Sequence, residues 1–373
     1  MMSSIGLPEI IAGIIVLALN AYTVLGGADF GGGLWDLLAS GPRKDAQRKL
    51  IADSIAPIWE ANHVWLIIVV VMLFTAFPPA FSTLGIVLHI PISLVLIGIV
   101  LRGSAFVFRS YGSRTRERRV VWGRVFSIAS MVAPLLLGAV IGAIASGDVG
   151  EASRQIGQQS FTEIFVRPWT SRFAVSIGLF ALVVFAFLAA VYAAAAAEPE
   201  ALRDDFRKRA LITAVVLFAL ALLTLVVTVH EGVASNVLPR DWAIPLQIAT
   251  AVAAIGAIVA LWTRRYALAR IAAVMQVSCI LWGWAFAQFP YVIPTPHSND
   301  PNLKPSAGTW LGLTIRDAAA PRATLDLLLI ALIVGAIILV PSLLYLYRTF
   351  SSQLPRQRYE GGTESMRSHG GKQ

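Results

Sequence analysis

The stretch from Arg172 to Ala197 reads RFAVSIGLFALVVFAFLAAVYAAAAA, and its only charged residue is the arginine at its start. An α-helix rises about 1.5 Å per residue, so this stretch is long enough to cross the roughly 30 Å hydrocarbon core of a bilayer. We therefore predict a transmembrane helix here, and eight further apolar stretches predict the same structure. The nine predicted spans are 8–28, 54–77, 81–101, 121–145, 172–197, 210–230, 243–262, 270–290 and 323–347.

The composition of the chain points to a polytopic membrane protein. Of its 373 residues, 57% are hydrophobic and 14% are charged, whereas about 25% charged residues are usual in a soluble domain. This excludes a soluble globular protein. The one cysteine, Cys279, lies in an apolar stretch, which excludes a disulfide framework and a thiolate metal cluster. We predict an all-α fold with nine transmembrane helices.

The basic residues predict how the chain is oriented in the membrane. The formal net charge is +9, and most of the 30 Lys and Arg residues lie in alternate loops, starting with the loop after the first span. Because basic loops stay in the cytoplasm, we predict that the N-terminus is outside and the C-terminus is cytoplasmic. The first span lacks a basic leader and a cleavage motif, so we expect it to be retained. The positive charge follows from topology, and we do not expect nucleic acid as a partner.

The chain divides into a membrane part and a tail. We predict that residues 1–350 form the transmembrane domain and that residues 351–373, which are polar and rich in Gly and Ser, form a disordered cytoplasmic tail. Two long connections on the predicted outer side, 146–171 and 290–322, are expected to form folded caps or flexible loops.

The second predicted span contains the polar cluster WEANHVW at residues 59–65. With Asp53 and Ser54 as its N-cap and Pro57 in the first turn, Glu60 would lie about 9 Å and His63 about 14 Å inside the membrane. A spacing of three places both side chains on one face, where they could share a proton. The alternative is a polar pair that only holds helices together, and the residues alone leave both interpretations open.

Other charged residues lie at the ends of predicted spans. Asp29 follows the glycines at the end of the first span, which allow either close helix packing or unwinding. It is either a second proton-carrying group or a loop carboxylate paired with Arg43 or another cytoplasmic arginine. Arg102 is expected to need Glu60 or Asp29 as a partner, whereas Arg109 is expected to reach the lipid headgroups. We assign both of these arginines a role in structural ion pairing.

The histidines leave one haem arrangement open. His63 and His89 would differ by only about 4 Å in depth, so a haem b between them is compatible with the predicted spans. A single histidine in a helix bundle more often makes hydrogen bonds, and no second histidine pair is present for another haem. His230 and Glu231 are expected to form a pair at the membrane interface.

Three motifs together resemble a known family. They are GADFG at 27–31, IAPIWEANHVWL at 55–66 and RGSAFVFR at 102–109. This combination resembles subunit II of the cytochrome bd quinol oxidases, over about residues 1–350, and is most similar to the cyanide-insensitive branch.

The resemblance implies a place in an aerobic respiratory chain. Such complexes of the bacterial cell membrane oxidise quinol, reduce dioxygen to water and take protons from the cytoplasm. Two haems b and one haem d are bound by subunit I, the partner of subunit II in a heterodimer. Subunit II is implied to be haem-free, without catalytic or metal-binding residues, and built from two four-helix bundles plus one further helix. A small accessory subunit, membrane lipid and a structural quinone are further expected partners.

The resemblance also assigns roles to individual residues. Glu60 matches an acid that lines a cytoplasmic proton pathway, and Asp29 matches the acid of the first-helix motif. His63 and Trp65 lie along the same pathway, while Trp59 is expected near the structural quinone or in aromatic packing. The third motif departs from the family because Val107 stands where an acid is common. This leaves Glu60 as the main membrane carboxylate of the route.

Two other classes of protein remain as alternatives. A secondary transporter could use Glu60, His63 and Arg102 as an intramembrane site, although only the first span shows a glycine break of the kind expected there. A haem b electron carrier would instead use the histidines.

Overall fold

The structure is a computed structural model that describes residues 6–55, 59–112, 115–230, 243–295 and 311–353. Within these ranges, nine helices are long and apolar enough to cross a membrane, and each overlaps one of the nine predicted spans. The helices are α1 (Leu7–Leu37), α2 (Lys44–Ile55), α3 (Trp59–Ala76), α4 (Pro78–Val87), α5 (His89–Val107), α6 (Arg116–Ser146), α7 (Asp148–Arg154), α8 (Phe161–Phe165), α9 (Arg167–Thr170), α10 (Arg172–Ala196), α11 (Glu200–His230), α12 (Ala243–Trp262), α13 (Tyr266–Gln288) and α14 (Arg322–Gln353).

The long helices pack in two groups that share a central contact. Helices α1, α3, α5 and α6 pack together, and helices α10 to α13 form the second group. Helix α10 also lies against α1 and α6, and this contact joins the groups. Among the described residues, α14 makes its main contacts with α1 and α3. Most of its apolar residues are exposed within this chain, and Leu325 and Leu343 are buried exceptions.

Glycines allow α1 and α10 to approach closely. A Cβ at Gly31 would overlap the carbonyl of Phe185, and a Cβ at Gly27 would meet the ring of the same residue at 2.7 Å. The Trp35 indole nitrogen donates a hydrogen bond of 2.8 Å to the Ala186 carbonyl oxygen in the same contact. Helix α1 is therefore continuous through its glycines. Of the two possibilities left open for these glycines, close helix packing is correct and a break in the first helix is wrong.

The second predicted span starts too early. Asp53 and Ser54 belong to the last turns of α2, and the Ser54 hydroxyl donates to the Leu50 carbonyl at 2.7 Å. The predicted N-cap is therefore wrong, and Pro57 lies outside the described residues. The membrane helix α3 begins at Trp59, which places Glu60 in its first turn. One side of α2, including Leu50 and Ile51, is buried against the bundle.

The third predicted span also divides into two helices. Pro78 and Pro79 start the short helix α4, since proline is well tolerated in a first turn. Helix α5 then begins at His89 and runs to Val107. His89 is thus the first residue of α5, whereas the predicted span begins at 81.

The two long connections fold over one end of the bundle. Residues 146–171 contain α7, α8 and α9. The second connection contains β1 (Tyr291–Thr295) and β2 (Leu311–Thr314), which pair antiparallel. Apolar residues from both connections share a core with α1, α3 and α4. The described parts are folded caps, while 296–310 and the predicted tail beyond Gln353 lie outside the described residues.

Candidate functional site

Three helices bring polar side chains together in the interior of the first group. Asp29 comes from α1, Asn62 from α3 and Arg102 from α5. Their exposed fractions are 6%, 0% and 1%. We call these three residues the buried polar centre. Ionisable residues at such positions are rare in membrane helices and commonly serve a function.

Asp29 and Asn62 make direct contact. The Asn62 amide nitrogen donates a hydrogen bond of 2.6 Å to one Asp29 carboxylate oxygen. Arg102 is close enough to both Asp29 and Tyr22 for charge interaction. However, no Arg102 nitrogen lies within the 4.0 Å of a direct ion pair with Asp29. The carboxylate is therefore held by an amide, with the arginine beyond direct contact.

The Arg102 guanidinium is surrounded by aromatic rings. Its central carbon is 4.8 Å from the centre of the Phe30 ring, 5.5 Å from that of Phe126 and 5.9 Å from that of Trp59. Such rings attract a cation through their negative faces. Its Nε and one terminal nitrogen have no hydrogen-bond partner among the described residues. These N–H groups are thus suited to bind water or a passing polar species.

His63 and Tyr22 extend this polar region. The two ring centres are 6.0 Å apart. Both His63 nitrogens, the Tyr22 hydroxyl and the Trp65 indole nitrogen are buried and make no hydrogen bond with described residues. Buried polar groups normally pair with protein or ordered water. This arrangement is therefore able to hold water beside the buried polar centre.

Glu60 lies apart from this interior. It is exposed at the surface of this chain, in the first turn of α3, and the expected hydrogen-bonded pair with His63 is absent because the His63 nitrogens have no partner among the described residues. Asn62 is two positions further along and faces the opposite side of the helix. The depth of about 9 Å predicted for Glu60 is counted from Ser54, which belongs to α2, and it stays a prediction.

The carboxylate in the interior is Asp29. It lies within the continuous helix α1, eight residues before the helix ends, so the alternative of a loop carboxylate paired with Arg43 is wrong. Arg43 instead pairs with Asp205 at 2.6 Å. The Asp205 hydrogen bond raises the pKa of the Arg43 guanidinium. This ion pair joins the loop after α1 to the start of α11.

Arg109 binds a carboxylate that the sequence analysis did not single out. Its two terminal nitrogens donate to the two oxygens of Asp36 at 2.8 and 2.9 Å. Ser127 donates to the same carboxylate at 3.3 Å. Arg109 therefore does not extend to lipid headgroups. Asp36 could have been found by asking which acid lies at the same end of the bundle as Arg109.

Trp59 has a packing role in this chain. Its ring lies 5.9 Å from the centre of His63 and 6.3 Å from that of Phe106. A Cβ at Gly103 would approach the Trp59 ring to 2.9 Å, so this glycine makes room for the indole. Val107, which occupies the position of the missing acid, is exposed at the surface of the chain.

The second group of helices encloses a cavity of about 770 Å³. It lies between α10, α11, α12 and α13, and the residues that line it include no charged side chain. Gln276 is 8% exposed, and its side-chain oxygen has no hydrogen-bond partner among the described residues. The Trp284 indole nitrogen and the Thr224 hydroxyl also have no hydrogen-bond partner among the described residues. The cavity suits a neutral, largely apolar molecule with a few polar atoms.

His63 and His89 are not placed to hold a haem between them. His89 begins α5, and its ring contacts the Ile86 carbonyl oxygen at 2.8 Å and the ring of Phe165. His63 lies near the start of α3, at the opposite end of the bundle. Among the described residues, no group of three or more His, Cys, Asp or Glu side chains could hold a metal ion. His230 ends α11, and its expected partner Glu231 lies outside the described residues.

Comparison with known families decides the identity. The family model described as "Cytochrome bd terminal oxidase subunit II" matches residues 7–350. The chain belongs to this family. As a subunit II, it is a component of a bd-type oxidase complex, which implies a subunit I partner, and it is a multi-pass protein of the bacterial inner membrane.

Individual relatives agree with the family. The chain is 25% identical over 388 residues to "Cytochrome bd-I ubiquinol oxidase subunit 2" of Escherichia coli K12, which covers 95% of this chain and 96% of that protein. It is 28% identical over 211 residues to "Putative cytochrome bd menaquinol oxidase subunit II" of Bacillus subtilis, or 57% of this chain and 59% of that one. The predicted membership of the family is confirmed.

A solved structure has the same fold. A chain in "The structure of bd oxidase from Geobacillus thermodenitrificans" matches with a TM-score of 0.67 and 20% identity, covering 92% of this chain and 98% of that chain. This confirms the predicted all-α membrane fold. The transporter and electron-carrier alternatives have no support among these comparisons.

Proposed function

We propose that this subunit II carries out no oxygen chemistry itself and acts only in complex with subunit I. Together they would form a quinol:dioxygen oxidoreductase, as the names of the Escherichia coli and Bacillus subtilis relatives suggest for those proteins. Two haems b and one haem d would be held by subunit I. This assignment is supported by the positions of His63 and His89, which do not fit a haem between them.

Within this complex, the subunit would contribute to proton uptake from the cytoplasm. The observation that carries this proposal is the Asp29 carboxylate, buried inside a membrane bundle and hydrogen-bonded to Asn62 at 2.6 Å. A buried carboxylate can take up and release a proton, and unpaired polar groups beside it can hold the water that conducts the proton.

Residues of α3 would connect this carboxylate to the surface. Glu60 is exposed in the first turn, where it can collect protons, and His63 lies one turn further along. The half-buried side chains of His63 and Trp65 carry unpaired nitrogens that face the interior. Arg102 would supply positive charge near Asp29. In this order, protons would enter at Glu60 and then reach the buried carboxylate of Asp29.

A structural quinone would occupy the cavity between α10 and α13. The cavity volume of about 770 Å³ lies in the range of ordinary small-molecule sites. Its apolar wall suits an isoprenoid tail, and the Trp284 indole N–H, which has no partner among the described residues, can donate to an oxygen of a quinone ring. Trp59 does not line this cavity, so its proposed role is aromatic packing.

Isolation of the subunit with its partners tests the central proposal. We expect the affinity-tagged chain, purified in mild detergent, to bring down a haem-bearing membrane protein in equal amount. The chain produced without that partner should show no stoichiometric haem in a reduced-minus-oxidised spectrum. A stoichiometric haem signal in the isolated chain would refute the haem-free assignment. A small accessory subunit would be seen as a third band in the intact complex.

A further inference from the structure

Asp29 and Arg102 have opposite charges and are both buried, yet they do not form a direct ion pair. The Asp29 carboxylate accepts a hydrogen bond of 2.6 Å from Asn62. Asn62 lies on α3, the membrane helix that comes between α1 and α5 in the sequence. Two nitrogens of Arg102 have no hydrogen-bond partner among the described residues. A buried arginine and carboxylate would ordinarily gain by closing into contact, because their attraction is strong in a medium of low dielectric constant.

The surroundings explain why the guanidinium can remain apart from the carboxylate. Three rings, from Phe30, Trp59 and Phe126, lie within 6 Å of its central carbon and stabilise its charge. These rings therefore compensate the buried charge of Arg102.

The position of Asn62 is also fixed by packing. Gly26 lies opposite it on α1, where an added Cβ would come within 3.7 Å of the Asn62 Cβ and within 3.1 Å of the Tyr22 ring. Asn62 therefore packs directly against α1, and this contact places its amide at the carboxylate. The amide carries no charge, so it holds the carboxylate without neutralising it.

We propose that Asn62 is a positioning residue, a neutral spacer that keeps the Asp29 carboxylate out of direct contact with Arg102. A carboxylate locked against an arginine in a dry interior has little tendency to bind a proton. A carboxylate held by an amide, with the arginine at a distance, can bind and release one. This inference rests on the proposed role of Asp29 in proton uptake, and it adds the residue that keeps Asp29 available.

The decisive variant is Asn62→Leu, which removes the amide and keeps a similar volume. It is prepared in the full complex with subunit I, and the complex is imaged by cryo-electron microscopy and assayed for quinol oxidase turnover. We expect an Asp29 oxygen to move within 4 Å of an Arg102 nitrogen, as in a direct ion pair, and turnover to fall about tenfold. If this variant does not assemble, Asn62→Ser removes the same amide with less bulk and has the same expected result. Thr213→Val is the matched control, because it removes another buried polar group from a membrane helix far from the centre, and it should leave turnover unchanged.

A double-mutant cycle separates positioning from a merely structural role. In an Asp29→Asn background, Asn62→Leu should change turnover less than twofold, since no carboxylate remains to be kept apart. The proposed spacer role of Asn62 would be overturned if Asn62→Leu reduced turnover equally in both backgrounds. It would also be overturned if the Asp29 carboxylate stayed apart from Arg102 in Asn62→Leu. Full turnover in Asp29→Asn alone would instead refute the proton role of Asp29, and the spacer would fall with it. The two failures are thus distinguishable.

Discussion

Arg109 and Asp36 form a two-point ion pair that joins the turn of π-helix after α5 to the end of α1. The two N–H···O contacts measure 2.8 and 2.9 Å, and the Asp36 carboxylate is almost completely buried. This pair closes the end of the bundle at which the polar residues of α3 begin. It also turns Arg109 inward, away from the lipid.

Removal of one partner of this pair should destabilise the complex. Because Arg109→Leu leaves the buried Asp36 charge without its main partner, we expect a loss of about 3 kcal/mol, the usual order for a broken buried pair. The measurement is the apparent Tm of the purified complex. Arg167→Leu is the control, since it breaks the exposed pair with Glu163 and should change stability by less than about 1 kcal/mol. Equal Tm changes in the two variants would contradict the structural role of Asp36.

Glu60→Gln should slow the oxidase without disturbing its haems. The amide cannot carry a proton, so we expect turnover to fall about tenfold, or about 1.4 kcal/mol in the barrier. Turnover is measured as oxygen consumption with a soluble quinol, and the haem spectrum reports assembly. Glu200→Gln alters another exposed acid of this chain and should have no effect. Full turnover in Glu60→Gln would remove this residue from the pathway.

Asp29→Asn should slow turnover at least as strongly as Glu60→Gln. The side chain keeps its shape and can still pair with Asn62, but it no longer exchanges a proton. Water can reach an exposed position such as Glu60 and deliver protons in place of the missing carboxylate. Water reaches the buried position of Asp29 less easily, so the loss of Asp29 should slow proton uptake more. Steady-state oxygen consumption at equal haem content decides this order. A milder effect at Asp29 than at Glu60 would contradict it.

Gly31→Ala should prevent normal assembly of the subunit. The new methyl group would overlap the Phe185 carbonyl and force α1 away from α10. Gly13→Ala makes the same change in the same helix, at a position where no atom lies within 4 Å of the added Cβ. The yield of complex with intact haem should fall sharply in the first variant and stay normal in the second. Similar yields would show that the close approach of these helices is not required.

Ala254→Phe should displace the proposed quinone from the second group of helices. Ala254 lines the cavity, and the larger ring would fill part of it. We expect less quinone per haem in solvent extracts of the purified complex, with turnover largely retained if this quinone is structural. Val252→Phe is the control because Val252 lies in the same helix and is exposed on its outer surface. An unchanged quinone content in Ala254→Phe would place the quinone elsewhere.

Hydropathy was sufficient to predict the fold but not the limits of every helix. All nine spans are present in the described ranges because each needs only enough apolar residues to cross the membrane. The starts at 54 and 81 are wrong for a common reason: a short helix, α2 or α4, precedes a membrane helix. A window of apolar residues does not distinguish such a helix from the first turns of the span.

The errors at the candidate site follow from these limits. A depth for Glu60 that is counted from Ser54 includes residues that belong to α2. Asn62 was overlooked because a neutral amide does not stand out among ionisable residues. The position of Asp29 inside a continuous helix depends on the contact between Gly31 and Phe185, and no pattern within the first span alone predicts that contact.

The order of the buried polar centre along the chain has a consequence for biogenesis. Asp29, Asn62 and Arg102 lie on the first three membrane helices to be synthesised, and the arginine comes last. An arginine at the centre of a membrane helix disfavours membrane insertion by about 2.5–3.5 kcal/mol, and Arg102, five residues before the end of α5, carries part of this cost. When α5 leaves the ribosome, the carboxylate, the amide and two of the three aromatic rings are already in place to receive it. Arg102 can therefore reach its position beside Asp29, Asn62 and these rings before α10 to α13 have been translated.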